Sequence, residues 1–77
     1  MNNYIATFFS HYDAFAFCDF LKGQNIKGKM MPVPRKISAS CGTCVSFVSD
    51  IEVSFDGYEV EAVFIENSDK LVEVFRG

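Results

Sequence analysis

Two cysteines, Cys41 and Cys44, stand three positions apart as Cys41-Gly42-Thr43-Cys44. Four chemistries are open to such a pair. A structural zinc site needs four ligands, and only Cys18 and His11 remain to complete one. Disulfide exchange of the thioredoxin kind places the pair at a helix N-terminus after a strand, where the helix dipole favours the thiolate. Here a loop precedes the pair and a strand is expected to follow. Free cysteines also serve as small apolar residues with no reactive role. The fourth reading is a nucleophilic thiol in an electropositive loop.

The residues around Cys41 favour the fourth reading. Gly42 allows close backbone approach, so that successive amides beside Cys41 can cradle an anion. Ser38 and Ser40 supply hydroxyl donors, and Arg35 supplies a permanent charge behind the stiff Pro32-Val33-Pro34 lead. Such donors stabilise a thiolate and make it reactive. Cys44 would then act as a resolving thiol that displaces the cargo of Cys41 by forming a disulfide. His11, at the start of a helix, is expected to be solvent-exposed, and no acid or second histidine completes a Cys-His-Asp arrangement. Met30 and Met31 read as core fillers rather than soft-metal ligands. No phosphate-binding or dinucleotide glycine motif occurs, so neither a cofactor nor a metal is expected.

These residues need a scaffold. Asn3–Phe9 is rich in β-branched and aromatic residues and reads as a buried first strand. Ser10 is a helix N-cap, with Asp13 near the positive end of the dipole. Ala14, Phe17, Cys18 and Leu21 form one apolar stripe, so the spacing predicts a helix over Ser10–Lys22, stopped by a left-handed Gly23. A second strand is expected over Ile26–Val33, and Pro32 and Pro34 place its end at a sheet edge or beyond. Arg35–Gly42 is a loop. Cys44–Val48 alternates as a third strand, with Val45 and Phe47 on one face and Cys44, Ser46 and Val48 on the other. Asp50–Gly57 reads as a short helix or a strand. Glu59–Ile65 is a strand in which Val60 and Ala62 oppose Glu61 and Val63. A turn at Asn67–Lys70 returns Leu71–Phe75 as a hairpin partner. This order implies α+β architecture, one helix packed on a mainly antiparallel sheet.

With 77 residues, 49% of them hydrophobic, the chain is expected to form one domain, 1–77, with a real core. So small a domain buries only about 60% of its unfolded surface, and a second copy of the chain would help. The net charge of −3 argues against general nucleic-acid binding. Residues 1–49 carry five Lys/Arg against two Asp/Glu, whereas residues 50–77 carry two against eight. Lys22, Lys27, Lys29, Arg35 and Lys36 thus lie just ahead of the paired cysteines, as a solvated rim or as a field favouring an anion. No basic segment followed by an apolar run opens the chain, and no apolar stretch is long enough to span a bilayer. An odd number of cysteines without an export signal points to a reducing cytoplasm.

The run Met31-Pro32-Val33-Pro34-Arg35-Lys36-Ile37-Ser38-Ala39-Ser40-Cys41-Gly42, with the helix start Ser10-His11-Tyr12-Asp13-Ala14, resembles the selenium/sulfur carrier protein-like family. This was formerly a domain of unknown function in small bacterial proteins. The resemblance covers about residues 3–48 closely and Tyr58–Phe64 more loosely. It implies a ferredoxin-like α+β domain with Cys41 as the carrier thiol, and reaches Cys41 more firmly than Cys44. Such proteins place a second helix between their third and fourth strands. Only about Ser49–Gly57 is available here, so that helix is expected to be shortened or absent, and a homodimer would cover the open sheet face. The implied function is a carrier or accessory protein of sulfur or selenium metabolism rather than a stand-alone enzyme. It would take a persulfide or perselenide onto Cys41 from a donor such as a cysteine desulfurase and pass it to an acceptor. Arg35, Ser38, Ser40 and Gly42 would stabilise the anionic forms. Two alternatives stand beside it: a non-enzymatic interaction module using the same loop, and a redox regulator closing a Cys41–Cys44 disulfide.

Overall fold

A computed structural model describes residues 2–49 and 59–77. Strand β1 (Asn2–Phe8) leads through Ser10 into helix α1 (His11–Gly23), followed by β2 (Gly28–Pro32), β3 (Thr43–Ser49), β4 (Val60–Asn67) and β5 (Lys70–Arg76). The expected element over Asp50–Gly57 lies outside the described residues. The strands form one sheet in the order β2-β3-β1-β4-β5. Every pairing is antiparallel. β1, α1 and β2 make a split unit with β3 inserted between the two strands, and β4 flanks β1 on its other side. That is the ferredoxin-like α+β plan, extended at one edge by β5.

The local chemistry explains the boundaries. Ser10 is extended, and its hydroxyl accepts from the Asp13 amide at 3.2 Å while donating to the Asp13 carboxylate at 2.7 Å. This reciprocal cap satisfies a first-turn donor and seats an acid at the positive helix end. At the other end the left-handed residue is Asn25 (φ 60), not Gly23, which remains inside the helix. Asn25 donates to the Lys22 carbonyl and Ile26 to the Leu21 carbonyl, a Schellman closure in which Ile26 also packs against the core. β2 consequently starts later than expected, at Gly28, because Ile26 belongs to the cap. At Gly28 a Cβ would lie 2.8 Å from Leu21 Cδ1, so the missing side chain lets helix and sheet meet without displacing that leucine. At the hairpin between β4 and β5, Ser68 (φ 47) and Asp69 (φ 68) are both left-handed, the backbone of a two-residue I′ turn.

α1 packs on one face of the sheet. Ala14, Phe17 and Leu21 meet Ala6, Phe8, Val45, Phe47, Val60 and Val63. Phe17 is fully buried among the rings of Phe8, Phe20 and Phe47. On the opposite face the chain covers itself in part. Ile37, near the middle of the 33–42 loop, is 8% exposed and clusters with Ile5, Cys44, Ala62 and Phe64. The alternation of β3 is as expected, with Val45 and Phe47 toward the helix and Cys44 on the other face. That of β4 is not. Thr7 pairs with Ala62 and Phe8 with Val60, so Glu61 is an extra residue in a β-bulge. The bulge places Val60 and Ala62 in different clusters, although period-two alternation would put them on one face.

Candidate functional site

The loop containing Cys41 is shaped by four contacts. The Ile37 amide donates to the Pro34 carbonyl at 3.0 Å, closing a turn over Pro34–Ile37. The Val33 amide donates to the Gly42 carbonyl at 3.1 Å and draws the two ends of the loop together. Lys36 Nζ reaches the Asp69 carbonyl oxygen at 2.8 Å, tying the loop to the β4–β5 turn. Glu61 grips the far end: Oε1 accepts from the Ser40 amide at 3.0 Å and Oε2 from the Ser40 hydroxyl at 2.7 Å. These two donors, the amide first, hold the Glu61 carboxyl below its ordinary range, so it is ionised at neutral pH.

Cys41 lies just beyond that grip and is 7% exposed. Its Sγ is 3.7 Å from His11 Nδ1, which also lies 2.6 Å from Thr43 Oγ1. His11 is the first residue of α1, and Thr43 is the first residue of β3. The end of the Ser10 cap and the start of a strand therefore bring an imidazole to a loop thiol. Which atom donates depends on the tautomer. With the ring proton on Nε2, the Thr43 hydroxyl donates to Nδ1; with it on Nδ1, the ring donates to the hydroxyl or the sulfur. Thr43 and Cys41 face the same ring nitrogen, so Nδ1 can take a proton from the thiol only in the Nε2-protonated tautomer and when the Thr43 hydroxyl donates elsewhere.

Cys44 occupies a different environment. It is fully buried on the face opposite α1, and its thiol points to the Pro32 carbonyl at 3.8 Å. Burial first, and then the charge of nearby Cys41, push the Cys44 thiol up to about 11. At neutral pH it is a thiol, not a thiolate. Both cysteines are free, as is the half-buried Cys18 on α1.

The sequence-predicted site residues divide. Ser40 is beside Cys41, with both its donors engaged by Glu61. Gly42 is exposed, and a Cβ on it would meet nothing within 4 Å, so no part of the described chain crowds it. Ser38 is exposed on the same loop. Arg35 sits elsewhere, on a groove of about 490 Å³ whose walls include Ile5, Met31, Lys36, Asp69 and Leu71, and neither Cys41 nor His11. His11, Thr43 and Glu61 were not singled out as functional from sequence. A signal existed for the first two, since His11 lies in the helix start that resembles the family and Thr43 lies between the cysteines. For Glu61 there was none, because its orientation comes from the bulge. Among the described residues, no three His, Cys, Asp or Glu side chains gather closely enough to hold a metal ion, and no helix is long and apolar enough to cross a membrane.

Fold and site together define a small α+β protein of ferredoxin-like plan that presents a loop thiol against a histidine ring. The family model described as "Putative Se/S carrier protein-like" matches residues 3–61, and the chain belongs to that family. Nothing among curated proteins or solved structures matches it.

Proposed function

We propose that the protein carries sulfur or selenium as a persulfide or perselenide on Cys41. The observation that carries this reading is the contact of Cys41 Sγ with His11 Nδ1 at 3.7 Å, with Thr43 against the same nitrogen. With the ring proton on Nε2 and the Thr43 hydroxyl turned away, His11 Nδ1 takes the Cys41 proton, and the thiolate attacks the terminal sulfur of a donor persulfide. The new bond joins Cys41 Sγ to that sulfur, the donor's S–S bond breaks, and the donor leaves as a thiolate that accepts the proton back. Discharge is the same exchange in the other direction, with an acceptor nucleophile taking the terminal sulfur and Cys41 recovering its thiol. Selenium follows the same course. The raised pKa of Cys44 favours discharge to an acceptor over attack by Cys44, because a buried thiol near 11 is a poor nucleophile at neutral pH.

The donor is expected to be a protein such as a cysteine desulfurase. Phe9, Tyr12 and Phe15 expose their rings around the start of the helix that bears His11, and this apolar surface suits such a partner. One observation favours a second reading. Cys41 and Cys44 have two residues between them and both are free thiols, as a Cys41–Cys44 redox regulator needs.

The test is to incubate reduced protein with a cysteine desulfurase and cysteine and record intact mass. The carrier reading expects a gain of one sulfur atom on the wild type and none on Cys41→Ser. Equal gain on both proteins removes Cys41 from the role. A loss of two hydrogens without sulfur supports the redox reading instead.

A further inference from the structure

We propose that the Glu61 carboxylate is an internal stand-in for an anionic ligand, filling a subsite beside Cys41 that an incoming carboxylate or oxyanion takes over. This rests on Cys41 being the working thiol and names the class of substrate it prefers: persulfide, perselenide or disulfide species that carry a negative group. The subsite is the Ser40 amide and hydroxyl, which grip one carboxylate at 3.0 and 2.7 Å. A backbone N–H and a hydroxyl converging on one anion form a general anion-binding arrangement, indifferent to which molecule supplies the oxygens. Ser40 immediately precedes Cys41, so an anion held there is tethered next to the sulfur.

Glu61 is suited to leave. The contact is exposed to solvent, where water readily replaces the lost partners. Its backbone does not depend on the grip: the bulge pairs Ala62 with Thr7 and Val60 with Phe8, and the Gly77 amide donates to the Glu61 carbonyl at 2.9 Å. The side chain can swing out while the strand stays in place. With Glu61 bound, Ser40's donors are occupied and Cys41 is 7% exposed. Ligand exchange at Ser40 therefore links arrival of an anionic substrate to loosening of the loop over the thiol.

The test compares two disulfide probes. Dithiobis(nitrobenzoate) carries a carboxylate on each ring, and dithiodipyridine is uncharged. With either one, Cys41 sulfur bonds to one half, the probe's S–S bond breaks, the other half leaves as a thiolate and the Cys41 proton passes to solvent. Loss of free Cys41 thiol is followed by quenching and peptide mass. Glu61→Ala is expected to speed the reaction with dithiobis(nitrobenzoate) by about fivefold, as expected for releasing an exposed charge-assisted bond, and to change the dithiodipyridine rate by less than about twofold. Adding Ser40→Ala should remove most of that gain. Equal changes with both probes would overturn the proposal and leave Glu61 a simple loop anchor. A gain that survives Ser40→Ala would also overturn it, in favour of through-space repulsion. Discrimination between probes in a protein that takes no sulfur from the desulfurase would retain the subsite and remove the carrier reading, so the two failures are distinguishable.

Discussion

Replacing Ile37 with alanine should open the functional loop without unfolding the sheet. Ile37 is the loop's buried anchor, 8% exposed in a cluster with Ile5, Cys44, Ala62 and Phe64. Truncation removes three buried carbons, and at about 0.8 kcal/mol each the closed loop loses about 2 kcal/mol relative to the open one. That corresponds to about a thirtyfold rise in the open population, since 1.4 kcal/mol is tenfold. Cys44 reports on it directly, because the same cluster shields its thiol. Alkylation of Cys44 by neutral iodoacetamide, followed by peptide mass under native conditions, should speed up by about ten- to thirtyfold. Alkylation proceeds from the open loop, where burial no longer raises the Cys44 thiol, so the intrinsic rate is common to both proteins and cancels in the ratio. If the loop opens as a separate unit, the Cys44 rate should be nearly insensitive to low urea, because local opening exposes little surface whereas global unfolding exposes much. Refutation would be an unchanged Cys44 rate, or a rate that climbs with urea as steeply as global unfolding does. Either result would mean that Cys44 is reached through unfolding of the sheet rather than through the loop.

Thr43→Val should speed sulfur loading of Cys41 by several-fold while leaving the melting temperature nearly unchanged, because the β-branched shape remains and the hydroxyl that competes with Cys41 for His11 Nδ1 is lost; loading at the wild-type rate would show that this competition is not limiting. The raised Cys44 pKa sets a pH dependence whose sign follows from burial. Its contribution is fully present below the unfolded value of 9.0 and is lost as pH rises through about 11, so the stability difference between wild type and Cys44→Ala should shift against the wild type across that window in urea titrations. Asn25→Gly should alter stability by only a few tenths of a kcal/mol, whereas Asn25→Ala should lose about 1 kcal/mol, because φ 60 is strained for a side chain without Asn's local hydrogen bonding. Phe17→Ala should lose about 3–5 kcal/mol in the same measurement, a large part of the stability of a domain this size.

The elements were largely legible in the sequence because their signals are local. The Ser10 cap, the stripe Ala14, Phe17, Leu21, the alternation of β3 and the Asn67–Lys70 turn each depend on neighbours within a few residues, where hydrogen-bond geometry and side-chain period act directly. The motif around Cys41 was likewise readable, and with it the family. Boundaries moved where two local solutions competed: Gly23 is a good helix stop, but Asn25 takes the left-handed position and carries Ile26 into the core. Tertiary structure decided what long-range pairing alone fixes. The antiparallel register of β4 against β1 inserts Glu61 as a bulge and turns its carboxylate to Ser40, which no alternation pattern encodes. Loop closure over the face opposite α1 buries Cys44, and so gives two cysteines of one motif different chemistry. The same fold carries Arg35 to a separate groove, and it brings His11 to Cys41 across 30 positions of sequence. Residue types supplied the thiol and the imidazole; only packing, which buries apolar surface and satisfies backbone groups together, placed one beside the other.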